Sequence, residues 1–339
     1  MNRRDTIAAL LALGAAVSPR GGRAQSKTAE QSRKLGVLAP ISTRDAEGLW
    51  LNVLRAELGS FAWIEGRNLV LEPAFADYNS QRLPALAEQL VRKRVDVVWA
   101  VSGESAVAAA RATRSVPIVS VAVPWPVETG LIDSFARPGR NVTGVSSYSG
   151  IEVSTKRLEF LKEMAPTATR LSWILDADMA ATVDGGHFDA RPLLDTEARR
   201  LGYDVRYHMV GKQADLDAAF ADILQWKAHA IAVAGSATTY AARDRIADFA
   251  LRHRLPSSCA SASNVDSGAL FSYNTAGDLA ANVKGSVEYV DRIFRGARPS
   301  DLPVSRPNRY ALVINLRTAA ALGLAISPSL RQRADRVIE

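Results

Sequence analysis

Apolar residues along this chain follow two alternating rhythms: short runs apolar on both faces, and longer stretches with a helical period. The first run, Leu35-Gly-Val-Leu-Ala39, predicts a buried strand that ends in a polar loop, Ser42-Thr43-Arg44-Asp45. Leu49, Trp50, Val53, Leu54 and Leu58 then recur on one helix face, closing near Gly59. The same reading gives strands at 68–74, 95–101, 117–122 and 142–146, with helices at 80–93 and 106–113. In the second half, helices at 151–165, 190–201, 215–226 and 238–253 alternate with strands at 171–175, 204–209, 230–234 and 257–260. A strand at 269–273, a long helix at 277–295, a strand at 310–315 and a short helix at 317–322 complete the pattern.

Strands alternating with helices, and strands apolar on both faces, predict an α/β architecture of parallel sheets covered by helices. The number of units exceeds one comfortable open sheet. Two doubly wound lobes joined by a hinge are therefore expected, dividing near 145–151. Ligands of such lobes sit outside the carboxyl ends of the strands, so the loops there are the candidates for chemistry.

The first 24 residues stand apart. Arg3 and Arg4 precede an apolar run of 11 residues, 7–17, and a small-residue end at Gly22-Arg23-Ala24. That run is too short to cross a hydrocarbon core of about 30 Å, and it suits an export signal cut after Ala24, by the general or the twin-arginine route. The expected mature protein lies free in the periplasm, since Cys259 is far from the cut and no lipid anchor can form there.

Charge changes meaning once this segment is set aside. The whole chain has 42 Lys and Arg against 35 Asp and Glu, a formal +7. Removing four Arg and one Asp with the signal leaves 38 against 34. No run of five like charges occurs, so the basic face a nucleic acid needs is not expected. One cysteine rules out an intrachain disulfide and any multi-cysteine metal site, and no cofactor or metal is expected.

Motifs for phosphate loops, dinucleotide binding, a serine nucleophile elbow or a zinc protease do not occur. What the strand-end loops do carry is hydroxyls and helix-start amides, at Ser42, Thr43, Ser102, Gly103, Ser147, Ser236 and Thr238, with Ser105 in the same loop as Ser102. Free N–H groups and the helix dipole there suit a carboxylate, although serine and threonine at helix starts also serve as caps. Glu104 and Asp176 are candidates to hold an ammonium, and Trp125, Tyr148 and Tyr273 to enclose an apolar group.

Several stretches carry a family resemblance. They include Lys34-Leu-Gly-Val-Leu, Trp63-Ile-Glu-Gly-Arg-Asn-Leu69 and Leu312-Val-Ile-Asn-Leu-Arg-Thr-Ala-Ala-Ala-Leu-Gly323. The most specific is Thr129-Gly-Leu-Ile-Asp-Ser-Phe-Ala-Arg-Pro-Gly-Arg-Asn-Val-Thr-Gly144. On these the chain resembles the ABC-transporter substrate-binding proteins related to bacterial tryptophan- and tyrosine-binding proteins, which have the type I periplasmic-binding-protein fold. The resemblance implies a two-lobe clamp that captures a small solute and delivers it to an ABC permease in the inner membrane. By position, family pocket loops match Ser42-Thr43, Ser102–Ser105, Ser147-Tyr148 and Tyr273. The chain departs from the family at Trp125-Pro126-Val127, where Asp-Pro-Val is common, and at the loop opening with Asp176.

The expected lobes take 33–146 with 267–298, and 147–266 with 299–339. The expected function is capture of a small carboxylate-bearing solute, an amino acid among the candidates, by a monomer that is not an enzyme. Two other classes fit the same architecture: a ligand-sensing module for a membrane receptor, and an enzyme using Glu104, Asp176 or His187 as acid or base.

Overall fold

The first strand, β1 (Arg33–Ala39), pairs in parallel with β2 (Leu69–Phe75) on one side and β3 (Val97–Val101) on the other. This computed structural model describes residues 32–147, 150–176, 182–275, 279–306 and 309–339. The expected export signal therefore lies outside the described residues. Beyond β3, the sheet adds β4 (Ile118–Val123) and β5 (Val142–Ser146), giving the order β2-β1-β3-β4-β5. Its helices are α1 (Thr43–Ala46), α2 (Asn52–Ser60), α3 (Leu83–Arg92) and α4 (Gly103–Ala112). A π-helical turn, Glu47–Leu51, joins the first two.

The second sheet is laid down by α5 (Gly150–Met164), β6 (Arg170–Asp176), α6 (Arg191–Arg200), β7 (Asp204–Val210), α7 (Asp215–Gln225) and β8 (Ala230–Val233). Two helices, α8 (Ala237–Ala241) and α9 (Arg243–Arg252), replace the single helix expected at 238–253. Then follow β9 (Ser257–Cys259), α10 (Ala262–Asp266) and β10 (Phe271–Thr275). The long helix α11 (Leu279–Phe294) comes next. The chain closes with β11 (Tyr310–Asn315), α12 (Leu316–Ala321), α13 (Pro328–Arg333) and β12 (Arg336–Ile338). The strand order is β12-β11-β10-β9-β8-β6-β7.

Helix α11 belongs to the first sheet although it follows β10 of the second. Val283, Val287 and Val290 recur along one face, are fully buried, and join Trp50, Leu54, Leu58 and Trp99 in one core. Burying each such valine contributes about 1.5–3 kcal/mol relative to leaving it in water. The indole N–H of Trp99 donates to Ser286 Oγ at 2.8 Å and ties the helix to β3. The expected lobe boundaries at 267 and 299 do not coincide with these sheets. Strand β10 pairs with β9 and β11, so Phe271–Thr275 lies in the second sheet. Residues 302–305 lie with the first: Leu302 is in its core, its carbonyl accepts from Thr143 Oγ1 at 2.7 Å, and Ser305 bridges to Val145.

All the strand pairs are parallel except β10 with β11. The connectivity explains that exception. The chain leaves β10 at its carboxyl end, builds α11 on the first sheet, and comes back to the same end, where Tyr310 faces Thr275. A strand entering there must run backwards.

Residues 32–339 cluster as one compact unit in which the chain passes between the sheets three times. Among the described residues, no helix is long and apolar enough to cross a membrane.

Candidate functional site

In each sheet the direction of winding reverses beside the first strand laid down, between β1 and β3 and between β6 and β8. Loops at such a reversal splay apart and leave a crevice. A cavity of about 310 Å³ lies at the carboxyl ends of the strands, with walls from both lobes. The first lobe supplies Ser102, Gly103 and Glu104 after β3, Ala122, Pro124 and Trp125 around the end of β4, and Ser147 after β5. From the second come Arg157 on α5, Trp173 and Asp176 on β6, Ala234–Ser236 after β8, and Asn274 on β10. His187, Phe188, Asp189 and Arg191, from the β6–α6 connection and the start of α6, also line it, as do the apolar Leu175, Leu194 and Met209. Such a volume stands at the lower end of the range for small-molecule sites, about 300–1,000 Å³.

Seven of the residues expected from the sequence line this cavity: Ser102, Gly103, Glu104, Trp125, Ser147, Asp176 and Ser236. Ser42, Thr43, Ser105 and Tyr273 are not among its lining residues, and Tyr148 lies outside the described residues. Ser42 caps α1: its Oγ donates to Asp45 Oδ2 at 2.7 Å and accepts from the Asp45 N–H at 3.2 Å. Tyr78 donates to the same carboxylate at 2.8 Å, and the two hydroxyls hold the Asp45 pKa below its ordinary value, Ser42 first. Ser105 is buried behind Ser102 and donates its N–H to Ser102 Oγ at 3.5 Å. Tyr273 packs edge-on to Phe160 at 5.2 Å and stacks on Tyr310 at 5.9 Å, partly buried against the second sheet's core. Strand alternation turns its neighbour Asn274 to the cavity instead.

The hydroxyls that do line the cavity are largely engaged. Ser236 forms a reciprocal cap with Thr239, its Oγ accepting from the Thr239 N–H at 3.1 Å while Thr239 Oγ1 accepts from the Ser236 N–H at 3.0 Å. Ser102 caps α4 and donates to Ser105 Oγ at 3.3 Å. Its backbone is strained, with φ at 83° and ψ at 166°, a region otherwise left to glycine. Ala122, at φ 60° beside a register shift in β4, is a second strained residue on the same wall.

Arg157 is the largest feature that the sequence reading did not single out. It is only 7% exposed, and burial pulls its pKa down to about 10, which leaves it cationic at neutral pH. Nη1 donates to the Val233 carbonyl at 3.2 Å, Nη2 contacts Ser154 Oγ at 3.5 Å, and Nε has no hydrogen-bond partner. No ion pair joins it to a carboxylate among the described residues. The indole N–H of Trp173, whose ring lies 5.9 Å from its guanidinium carbon, is likewise buried without an acceptor. The helical period of 151–165 does place Arg157 with Val153 and Leu161, an arginine among buried positions and the one available signal.

The lobes also meet beside the cavity. Val183 donates its N–H to the Thr129 carbonyl at 2.8 Å and packs into the first lobe's core. Arg111 donates to the Thr182 carbonyl at 2.6 Å, and the ring of Phe188 lies 5.3 Å from that of Trp125.

Comparison with known proteins bears on the family and the fold. Residues 60–338 match the family described as ABC transporter substrate binding protein. A tyrosine-binding protein of Clostridioides difficile (strain R20291) is 26% identical over 267 residues, covering 77% of this chain and 72% of that protein. A crystal structure of a conserved domain protein from Vibrio cholerae O1 biovar El Tor superposes with a TM-score of 0.80 at 26% identity, over 91% of this chain and all of that one. The structure of an ABC domain from Streptococcus pneumonia in complex with L-Trp gives 0.79 at 20% identity, over the same shares. The two lobes have the type I periplasmic-binding-protein fold. By the match across 60–338, this chain belongs to the ABC transporter substrate-binding protein family.

Proposed function

We propose that this protein is the solute-binding component of an ABC importer, holding a small carboxylate-bearing solute between its lobes. The observation that carries this reading is the cavity itself, which is built by both lobes and carries groups of both charges on one surface. Arg157 is cationic, whereas Glu104 and Asp176 come from opposite lobes and suit an ammonium. Trp125, Phe188, Trp173, Leu175, Leu194 and Met209 supply the apolar remainder. An α-amino acid with an apolar or aromatic side chain has matching chemistry, and the relative from C. difficile is described as binding tyrosine.

In this reading the segment 1–24 exports the chain to the periplasm, and the loaded clamp presents its solute to an inner-membrane permease. Capture requires opening of the lobes, entry of the solute, and closure that restores the Trp125–Phe188 and Val183–Thr129 contacts. Binding energy then appears as stability of the closed form, about 2.7 kcal/mol at a hundredfold excess over Kd. Titration calorimetry with glycine and the nineteen standard L-amino acids tests it. At least one is expected to bind at one site per chain. Absence of heat and of thermal stabilisation with all of them contradicts an amino-acid ligand.

A further inference from the structure

We propose that Arg157 is the anchor for the solute's carboxylate, with the Trp173 indole N–H as its neighbouring donor, so that the solute's charged end is held by the second lobe. This deepens the proposed function and rests on it. Hydroxyls at the strand-end loops are poor candidates for this anchor. Ser42 is tied to Asp45, and Ser102 and Ser236 are tied into the caps of their own helices. Their oxygens are committed to the fold.

Arg157 differs on every count. A guanidinium has five N–H donors in a planar fork, and the fold engages only two, one of them at 3.5 Å. The side chain is more than nine-tenths buried, and it lines the cavity. Among the described residues no carboxylate pairs with it. A buried charge without a partner is costly, and so is a buried donor without an acceptor. Arg157 and Trp173 present both faults side by side, at the point where the winding of the second sheet reverses. A carboxylate cures both, because its two oxygens match the guanidinium fork and leave lone pairs for an indole N–H. The apolar wall of Trp125, Phe188 and Met209 then receives the rest of the solute.

The structural alternative is that Arg157 serves the fold through Val233 and the Trp173 ring. The two readings part on stability. If the fold depends on Arg157, Arg157→Met melts lower than the wild type. If Arg157 is held unpaired for a ligand, the ligand-free Arg157→Met protein melts at or above the wild type, since an uncompensated buried charge has gone.

The test uses calorimetry on the wild-type chain, Arg157→Met, Arg157→Lys and Trp173→Phe. The probes are glycine and the nineteen standard L-amino acids, with the carboxamide of each one that binds. The wild type is expected to bind an acid on the order of a hundredfold more tightly than its carboxamide. In Arg157→Met the two are expected to bind within about threefold of each other, with the acid much weakened. Arg157→Lys, with a point charge and no fork, is expected to fall between, and so is Trp173→Phe. Acid and carboxamide binding equally to the wild type overturns the assignment and leaves the proposed function standing. So does an Arg157→Met protein that binds the acid as the wild type does. If Arg157→Met fails to fold, the carboxamide comparison and the Lys and Phe variants decide alone. A wild type that binds no amino acid overturns the proposed amino-acid ligand and this assignment together.

Discussion

The indole of Trp125 and the ring of Phe188 lie 5.3 Å apart at 52°, one extending from the first lobe and the other from the connection between β6 and α6. Both line the cavity, so the pair is at once a wall of the site and a contact between the lobes. Aromatic pairs contribute about 0.5–1.5 kcal/mol beyond the area they bury. Trp125→Ala and Phe188→Ala are each expected to speed ligand release about two- to tenfold in stopped-flow experiments, with the double variant less than additive. Neither should lower the melting temperature of the ligand-free protein much, since both rings are only partly buried.

Gly144 closes the most specific family stretch, and its role is steric. At φ 132°, a Cβ here would lie 2.2 Å from the Ser120 carbonyl oxygen and 2.7 Å from the Ser120 nitrogen, both of them backbone. Strand β5 could not then keep its register on β4. Gly144→Ala is expected to destabilise the fold by about 4 kcal/mol or more, the scale reached by overpacking combined with a strained backbone. Thermal or denaturant unfolding reads this directly.

Ser42 separates capping from binding. Ser42→Ala is expected to cost about 1 kcal/mol of stability as a lost cap and to leave ligand affinity within about twofold. Asp45 adds a pH signature. Its pKa is lowered in the fold, so its contribution is present above the unfolded value of 3.8 and is lost as pH falls through the depressed one. Removing the Ser42 hydrogen bond shrinks that contribution, and acid titration of the melting temperature should show a shallower loss below pH 3.8 in the variant.

Cys259 is fully buried, and burial pushes its thiol up to about 12 from 9.0. The unfolded chain ionises first, so the stabilising contribution is complete below pH 9.0 and is lost as pH rises toward about 12. A thiolate-trapping reagent at pH 8 is expected to label denatured protein promptly and native protein only at the rate of unfolding.

Two lobes, nearly every strand and the sheet ends at which the cavity lies were legible in the alternation of apolar runs and helical stretches. What escaped has physical causes. The expected lobes place α11 with the first sheet, but their boundaries miss because Phe271–Thr275 pairs with β9 and β11 in the second sheet and residues 302–305 pack on the first, long-range pairings that periodicity does not record. The split at Ala242 has no breaker residue to announce it. Within the site, loop position identified Ser102, Gly103, Glu104, Trp125, Ser147, Asp176 and Ser236 as cavity-lining. Strand parity between Tyr273 and Asn274 was decided by pairing with β11, which a single strand's pattern does not reveal. Arg157 carries no loop or helix-start signal, because it stands within α5, and its neighbours across the cavity come from distant strands.

Native mass spectrometry on the purified chain with each L-amino acid tests the central claim most directly. One adduct per chain is expected with at least one amino acid, lost in Arg157→Met while the variant keeps its native charge-state distribution. A chain that stays bare with every amino acid would contradict the account.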